Sequence, residues 1–357
     1  MSRNTVARID LEALAYNLGV VRSYCGDSQI ACVIKADGYG HGIQRVSKAL
    51  SAADLFAVAT PDEAKMVREA GWAGRLLLLE GFSDRDDLAL ARALGLELVV
   101  HQSEQLSTLQ ELGFDSLKRI WLKLDTGMHR LGFPAEDAPR LLEAVRSIKG
   151  AGAPWLMTHF ACADEADNPM TAAQIQLFDK VSAGMELRQS LANSAAILNF
   201  KDSHRDCVRP GILLYGISPI NGSIGEDHGL RPAMSLACEL IAINDAREGD
   251  RVGYGAAYTC PRDMRIGVAA IGYGDGYPRH LENGTPVLVN GRRAQLAGRV
   301  SMDLITIDLS GHDDARCGDE VLLWGPGLPV EEIASAANAI PYELVCGVTG
   351  RVDRLNT

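Results

Sequence analysis

Long apolar runs are missing from this chain. The longest stretch without Asp, Glu, Lys or Arg is Pro210–Gly225; it contains Pro, Asn, Ser and four glycines and is no membrane span. Runs of positive charge are missing too. Lys plus Arg number 35 against 46 for Asp plus Glu, a net charge of −11, and such an acidic chain is a poor nucleic-acid binder. The eight cysteines (25, 32, 162, 207, 238, 260, 317 and 346) include no CxxC pair. That excludes a structural zinc spacing, no metal site is expected, and a chain of this length does not need disulfide staples. Reduced thiols in a cytoplasmic protein are the expectation. The first residues, with Arg3, Arg8, Asp10 and Glu12, lack the apolar core of a signal peptide. No GxGxxG follows the first apolar run, so a dinucleotide fold loses support and a doubly wound open sheet is the runner-up reading.

What is present is globular: 47% hydrophobic and 23% charged residues over 357 positions, enough for two domains or more. From about residue 10 to 227, short apolar runs alternate with amphipathic stretches. Ile30–Ile34, Leu55–Ala59, Leu76–Leu79, Leu96–Val100, Ile120–Leu124, Pro154–Thr158 and Ser190–Asn193 read as strands buried on both faces. Gly42–Leu50, Pro61–Ala70, Ser103–Leu112 and Ala135–Ile148 read as the helices between them. Parallel crossovers need such helices, so the pattern predicts an α/β fold, an eight-fold β/α (TIM-type) barrel. From 228 to 357 the texture changes to a mostly-β C-terminal domain. Its strands are expected at Ala237–Ile243, Arg265–Ile271, Thr285–Val289, Leu304–Ile307 and Glu320–Leu323, with Asn290-Gly291 a hairpin turn. Residues 1–9 are candidates for an extra strand of that domain.

Several segments carry chemistry-bearing residues where a barrel strand would end, the face at which barrels build active sites. Val33-Ile34-Lys35 runs straight into the glycine-rich Ala36–Gly42. A lysine flanked by barrel wall is partly desolvated, which suits Schiff-base chemistry, although pairing with Asp37 would explain it equally well. Asn193-Ser194 and Arg209-Pro210-Gly211-Ile212 suit a phosphate grip or, more plainly, a helix cap and a turn. Thr158-His159 reads as a strand-end histidine, and Lys123 to Arg130 as a cluster of charges open to mutual salt bridging. Gly253-Tyr254-Gly255 and Gly272 to Tyr277 read as bulged strands.

In order, the segments VIKADGYGHG, LKLDTGMHRLGF, THFACADE, ANSAA, VRPGILLYG, VGYGAAYT, IGYGDGYPR, AGRVSMD and YELVCG resemble the alanine racemases, from residue 33 to 347. The resemblance implies a pyridoxal 5'-phosphate enzyme that interconverts L- and D-alanine by two bases. Lys35 would hold the cofactor as a Schiff base, and Tyr39, Ser194, Gly211 and Ile212 its phosphate. His159 would lie near the ring, and Arg209 would face the pyridine nitrogen. Lys35 and Tyr254 would serve opposite faces of the substrate, Tyr254 coming from the other chain of a head-to-tail homodimer with shared sites. An ordinary tyrosine is protonated at neutral pH, so that role needs cationic neighbours. Arg130 and Met302 would contact the substrate, and Lys123 is a candidate carbamylated lysine held by Arg130.

The chain departs from the family pattern twice. Gly350 stands where relatives often have a phosphate-contacting tyrosine, and Asp353 where Arg-Val-Pro-Arg has its proline. Two other classes remain to be separated. A related pyridoxal-phosphate decarboxylase would need a C-terminal cysteine followed by an acid, which Cys346-Gly347-Val348 does not supply. A single-domain pyridoxal-phosphate-binding protein would lack the segment that carries Tyr254.

Overall fold

The computed structural model describes residues 4–357; Arg3 of the charged N-terminal segment lies outside them. Eight parallel strands form a near-closed ring in the order Gln29–Val33, Leu55–Val58, Arg75–Leu78, Glu97–Val100, Arg119–Asp125, Trp155–Met157, Gln189–Ser190 and Cys207–Val208. Cys207–Val208 pairs back to Gln29–Val33. The seam between the last two strands is held by Asp206 N–H to Gln189 O at 3.2 Å and Arg209 N–H to Ala192 O at 2.9 Å.

The strands are apolar throughout because both faces are covered, by helices outside and packed side chains inside. Leu55–Val58 and Glu97–Val100 are buried at every position. Caps fix where the helices begin. Thr60 and Glu63 form a capping box with Pro61 in the first turn, and the Asp84 carboxylate accepts the Asp86 and Asp87 N–H groups. Ala135–Ile148 divides into a 3₁₀ turn at Ala135–Asp137 and an α-helix at Ala138–Arg146, because Pro139 lies at the helix start.

A second sheet runs Met264–Ala269, Ile305–Asp308, Arg292–Leu296, Pro286–Val289, Glu320–Trp324, Met234–Ala246, Val6–Ile9 and Asp353–Asn356. All its pairings are antiparallel except Val6–Ile9 with Asp353–Asn356. The two-residue turn Asn290-Gly291 has φ of 49° and 76°, the positive pair that a right-twisted hairpin demands. Gly253–Gly255 and Gly272–Tyr277 are not bulged strands. They contain 3₁₀ turns at Tyr254–Ala256 and Tyr273–Asp275, where positive φ at Gly253, Gly255 and Gly276 turns the chain away from any ladder.

Two short helices, Val330–Ala336 and Pro341–Gly347, bring this part against the upper rim of the barrel. Contact is close at Gly40, where a Cβ would stand 2.1 Å from the Val345 carbonyl oxygen. Arg354 Nε donates to Gly40 O at 2.7 Å across the same junction. Among the described residues no helix is long and apolar enough to cross a membrane, and no three His, Cys, Asp or Glu are grouped to hold a metal.

Candidate active site

The strand Gln29–Val33 delivers Lys35 to the upper mouth of the barrel, and the chain then winds the wrong way. Ala36, Asp37, Gly38 and Tyr39 have φ of 53°, 52°, 62° and 52°, a turn of left-handed helix. Each non-glycine residue so placed costs roughly 1–2 kcal/mol, so neighbouring groups must hold it. The Glu63 carboxylate accepts Ala36 N–H at 2.7 Å, and Asp37 accepts Ile43 N–H at 2.8 Å. Asp37 is thus a turn-capping group and no ion partner of Lys35. Behind the turn, buried His41 donates from Nδ1 to Tyr39 O at 2.8 Å, and burial lowers its pKa to about 4, so it is neutral.

Tyr39 stacks on Tyr215 with ring centroids 4.8 Å apart and faces Tyr342 at 6.0 Å. Its hydroxyl lies against Gly211, where a Cβ would come within 2.4 Å. Ser194, next to the Asn193 cap of its helix, accepts Gly211 N–H on Oγ at 2.8 Å. The cap and the turn expected on simple grounds are therefore present, and they bring Ser194, Gly211 and Tyr39 together.

Arg209 is 4% exposed. One terminal nitrogen donates to Ser190 O at 2.9 Å and Ser190 Oγ at 2.7 Å, the other to Thr158 O at 2.7 Å and Leu191 O at 3.1 Å. Among the described residues only its Nε–H has no protein acceptor. Burial lowers its pKa to about 10, which still leaves it protonated at neutral pH. Arg209 also meets His159 Nδ1 at 3.3 Å. A guanidinium only donates, so Nδ1 accepts and the histidine proton sits on Nε2. Burial and four nearby cations hold the His159 pKa well below its usual value.

These groups line one cavity of about 980 Å³ together with Lys123, Arg130, Glu80, Asp164 and Tyr342. Lys123 is 8% exposed, and burial with Arg209, Arg130 and Lys35 lowers its pKa to about 8 against the weak pull of Glu80. Within the Lys123–Arg130 segment Asp125 is taken by the Gly127 and His129 N–H groups and the His129 ring, and Lys123 and Arg130 have no ion pair among the described residues. In a chain of net charge −11, a cavity lined by two lysines and two arginines against the carboxylates of Glu80, Asp164 and Glu331 keeps a positive balance, which favours an anionic ligand.

The structure thus gathers Lys35, Tyr39, Lys123, Arg130, His159, Ser194, Arg209 and Gly211, and it leaves three candidates outside the lining. Tyr254 is 71% exposed and Met302 53% exposed on the second domain, outside the cavity of their own chain. Ile212, next to Gly211, is fully buried and does not line the cavity. Sequence reasoning missed Glu80, Asp164 and Tyr342 as lining groups. Tyr342 was visible only as the first letter of a motif.

Residues 9–219 match the family model described as alanine racemase, N-terminal domain, and residues 233–356 the one described as alanine racemase, C-terminal domain. The chain belongs to the alanine racemase family. A curated relative named alanine racemase from Nitrosococcus oceani is 51% identical over 98% of each chain. The biosynthetic alanine racemase of Pseudomonas aeruginosa superposes with a TM-score of 0.96 at 44% identity, over 99% of each chain. An alanine racemase from Bartonella henselae, solved with covalently bound pyridoxal phosphate, superposes at 0.89 with 26% identity over 99% of each chain.

Proposed function

We propose that this chain racemises alanine with pyridoxal 5'-phosphate held in the cavity at Lys35. The observation that carries the reading is the convergence of Lys35, Arg209, Ser194 and Gly211 on that one cationic cavity. The residues fit the group: an anion meets four cations, Gly211 leaves no side chain between Tyr39 and Ser194, and Arg209 keeps one N–H for a ring acceptor. Bound there, pyridoxal phosphate supplies an electron sink that acidifies the α C–H of an amino acid.

Lys35 Nζ anchors the group and takes or returns the α-proton on one face. Arg209 would face a ring acceptor through Nε–H and, staying protonated, would donate without giving up its proton. In place of a carboxylate it would limit the sink that the cofactor supplies and so favour return of the proton to Cα, which is racemisation. Tyr39, Ser194, Gly211 and Ile212 would hold the cofactor's phosphate. Arg130 binds the substrate carboxylate, joined by the backbone of Met302.

The other face needs a second base, and none is assigned within one chain. We assign it to Tyr254 of a second copy in a head-to-tail homodimer. Exposed Tyr254, Tyr273, Met302 and Leu304 together on the second domain support that assignment. Lys123 is carbamylated in this reading. Its amine is half deprotonated near pH 8 and faces three cations; a carbamate replaces that repulsion by attraction to Arg130.

Incubating the holoenzyme with L-alanine in deuterated water tests the reading. D-alanine carrying α-deuterium is expected, with the two isomers approaching equal amounts. Release of carbon dioxide, or no exchange at Cα, overturns it.

A further inference from the structure

The lower end of the barrel carries a charge imbalance that racemisation does not use. Glu97 is level with Arg119, and Trp121 with Trp155, on adjacent strands. Because side chains alternate along a strand, Arg119, Trp121 and Lys123 point to the same side. Lys123 lines the upper cavity, so that side is the barrel interior and Arg119 stands at its lower mouth. Arg75 shares the parity of Leu77, which is level with Glu97. Arg188 precedes the strand Gln189–Ser190, and the register places it beside Trp155.

Three guanidiniums therefore converge at the lower mouth, with Arg75, Arg119 and Arg188 at 5.2, 4.9 and 5.6 Å from the Trp155 ring. Glu97 faces them and is already engaged, while Asp54 and Asp206 at the same strand starts are tied to Arg22 and to the Gln189 N–H. Glu97, 2% exposed, accepts two bonds from Arg75 at 2.6 and 3.1 Å and one from Trp121 Nε1 at 2.7 Å. Arg75 completes its set on Gln29 at 2.7 Å. The Arg119 and Arg188 guanidiniums have no hydrogen bond or ion pair among the described residues. Burial lowers the Arg119 pKa, and Arg75 and Arg188 add to the effect against Glu97. The lower mouth thus sets two guanidiniums without a carboxylate partner, Arg119 and Arg188, beside the Arg75–Glu97 pair, in a protein of net charge −11.

We propose that this lower mouth is a second anion site, in which Arg119 and Arg188 bind a phosphate oxyanion carrying two or more negative charges. A planar fork of donors matches phosphate oxygens two at a time, and the two free forks provide such a pair. Trp155 is 4% exposed and packed on Trp121 at 4.6 Å, so no ring face is open for a nucleobase. The phosphate group itself is what the site recognises. The proposal is independent of the chemistry at Lys35, on the opposite end of the barrel.

Isothermal titration of the cofactor-loaded enzyme with inorganic diphosphate tests it, with ADP as a parallel arm. One saturable site per chain is expected, with comparable affinity for the two ligands. Affinity should fall at least tenfold in Arg119→Gln and be abolished in Arg188→Glu, which places a carboxylate before Arg119. Racemase activity should be unchanged in both, and diphosphate binding unchanged in Arg130→Gln at the upper cavity. Arg188 is exposed at a strand start, so its variant remains informative if Arg119→Gln fails to fold. No saturable binding, undiminished binding in Arg188→Glu, or loss of binding in Arg130→Gln would overturn the proposal. ADP bound far more tightly than diphosphate would contradict recognition of phosphate alone.

Discussion

Glu63 is remote from Lys35 in the sequence, yet the left-handed turn makes catalysis depend on it. Three non-glycine residues, Ala36, Asp37 and Tyr39, hold positive φ, which costs about 3–6 kcal/mol at roughly 1–2 each. One Glu63 oxygen accepts Ala36 N–H at 2.7 Å; the other accepts Ala59 N–H at 2.8 Å and Thr60 N–H at 3.3 Å. Hydrogen bonds to a charged acceptor contribute about 1.5–3 kcal/mol each. Glu63→Gln keeps one acceptor oxygen and turns the other into a donor facing an N–H group. A loss of about 2 kcal/mol at the turn is expected, equal to roughly thirtyfold in the population that presents Lys35 correctly. Steady-state kinetics should show kcat reduced by up to that factor, with cofactor released more readily on dialysis. Global unfolding should move less, because the oxygen retained in Glu63→Gln can still accept the Thr60 N–H at the helix cap. Wild-type kcat and cofactor retention in Glu63→Gln would refute the claim that the carboxylate holds the turn.

Lys123 gives a pH dependence of defined sign in carbon dioxide-free buffer. Its folded pKa of about 8 lies below the usual 10.5. The unfolded chain therefore binds more protons between those values, and stability rises with pH across that window by about 3 kcal/mol. Lys123→Met should remove the rise in denaturant titrations, and a rise that persists in the variant would contradict it. With labelled bicarbonate, a carbamate carbon signal is expected in the wild type and none in Lys123→Met; absence from both would remove the carbamate. Gly211→Ala drives a Cβ to within 2.4 Å of the Tyr39 hydroxyl. Overpacking of this kind costs about 1–3 kcal/mol. Weaker cofactor retention with little change in fold is expected by absorbance and circular dichroism, and unchanged retention would show that Tyr39 has room to move.

The barrel was legible because its strands are short apolar runs, buried on both faces, separated by capped amphipathic helices. Boundaries such as Leu55–Val58 fall within a residue of the pattern. The second sheet was legible for the same reason at its turns, while Met234–Ala246 extends past its apolar core into polar Asn244 and Asp245. The left-handed turn was not legible. Ala36 and Tyr39 have no preference for positive φ, which Glu63, His41 and Arg354 impose through contacts distant in sequence. The pairing of His159 with Arg209, 50 residues apart, follows from closure of the ring and from no local spacing. Tyr342 enters the cavity only because the helix Pro341–Gly347 packs on the barrel rim.

The central claim is that one site needs Lys35 from one chain and Tyr254 from another, and complementation tests it most directly. Lys35→Ala and Tyr254→Phe homodimers should each be nearly inactive. Mixed in equal amounts under conditions that permit subunit exchange, about half the dimers are heterodimers with one intact site of two. Racemase activity should then return to about a quarter of the wild-type value per site. If exchange is verified by mass and activity does not return, the two residues do not act across chains.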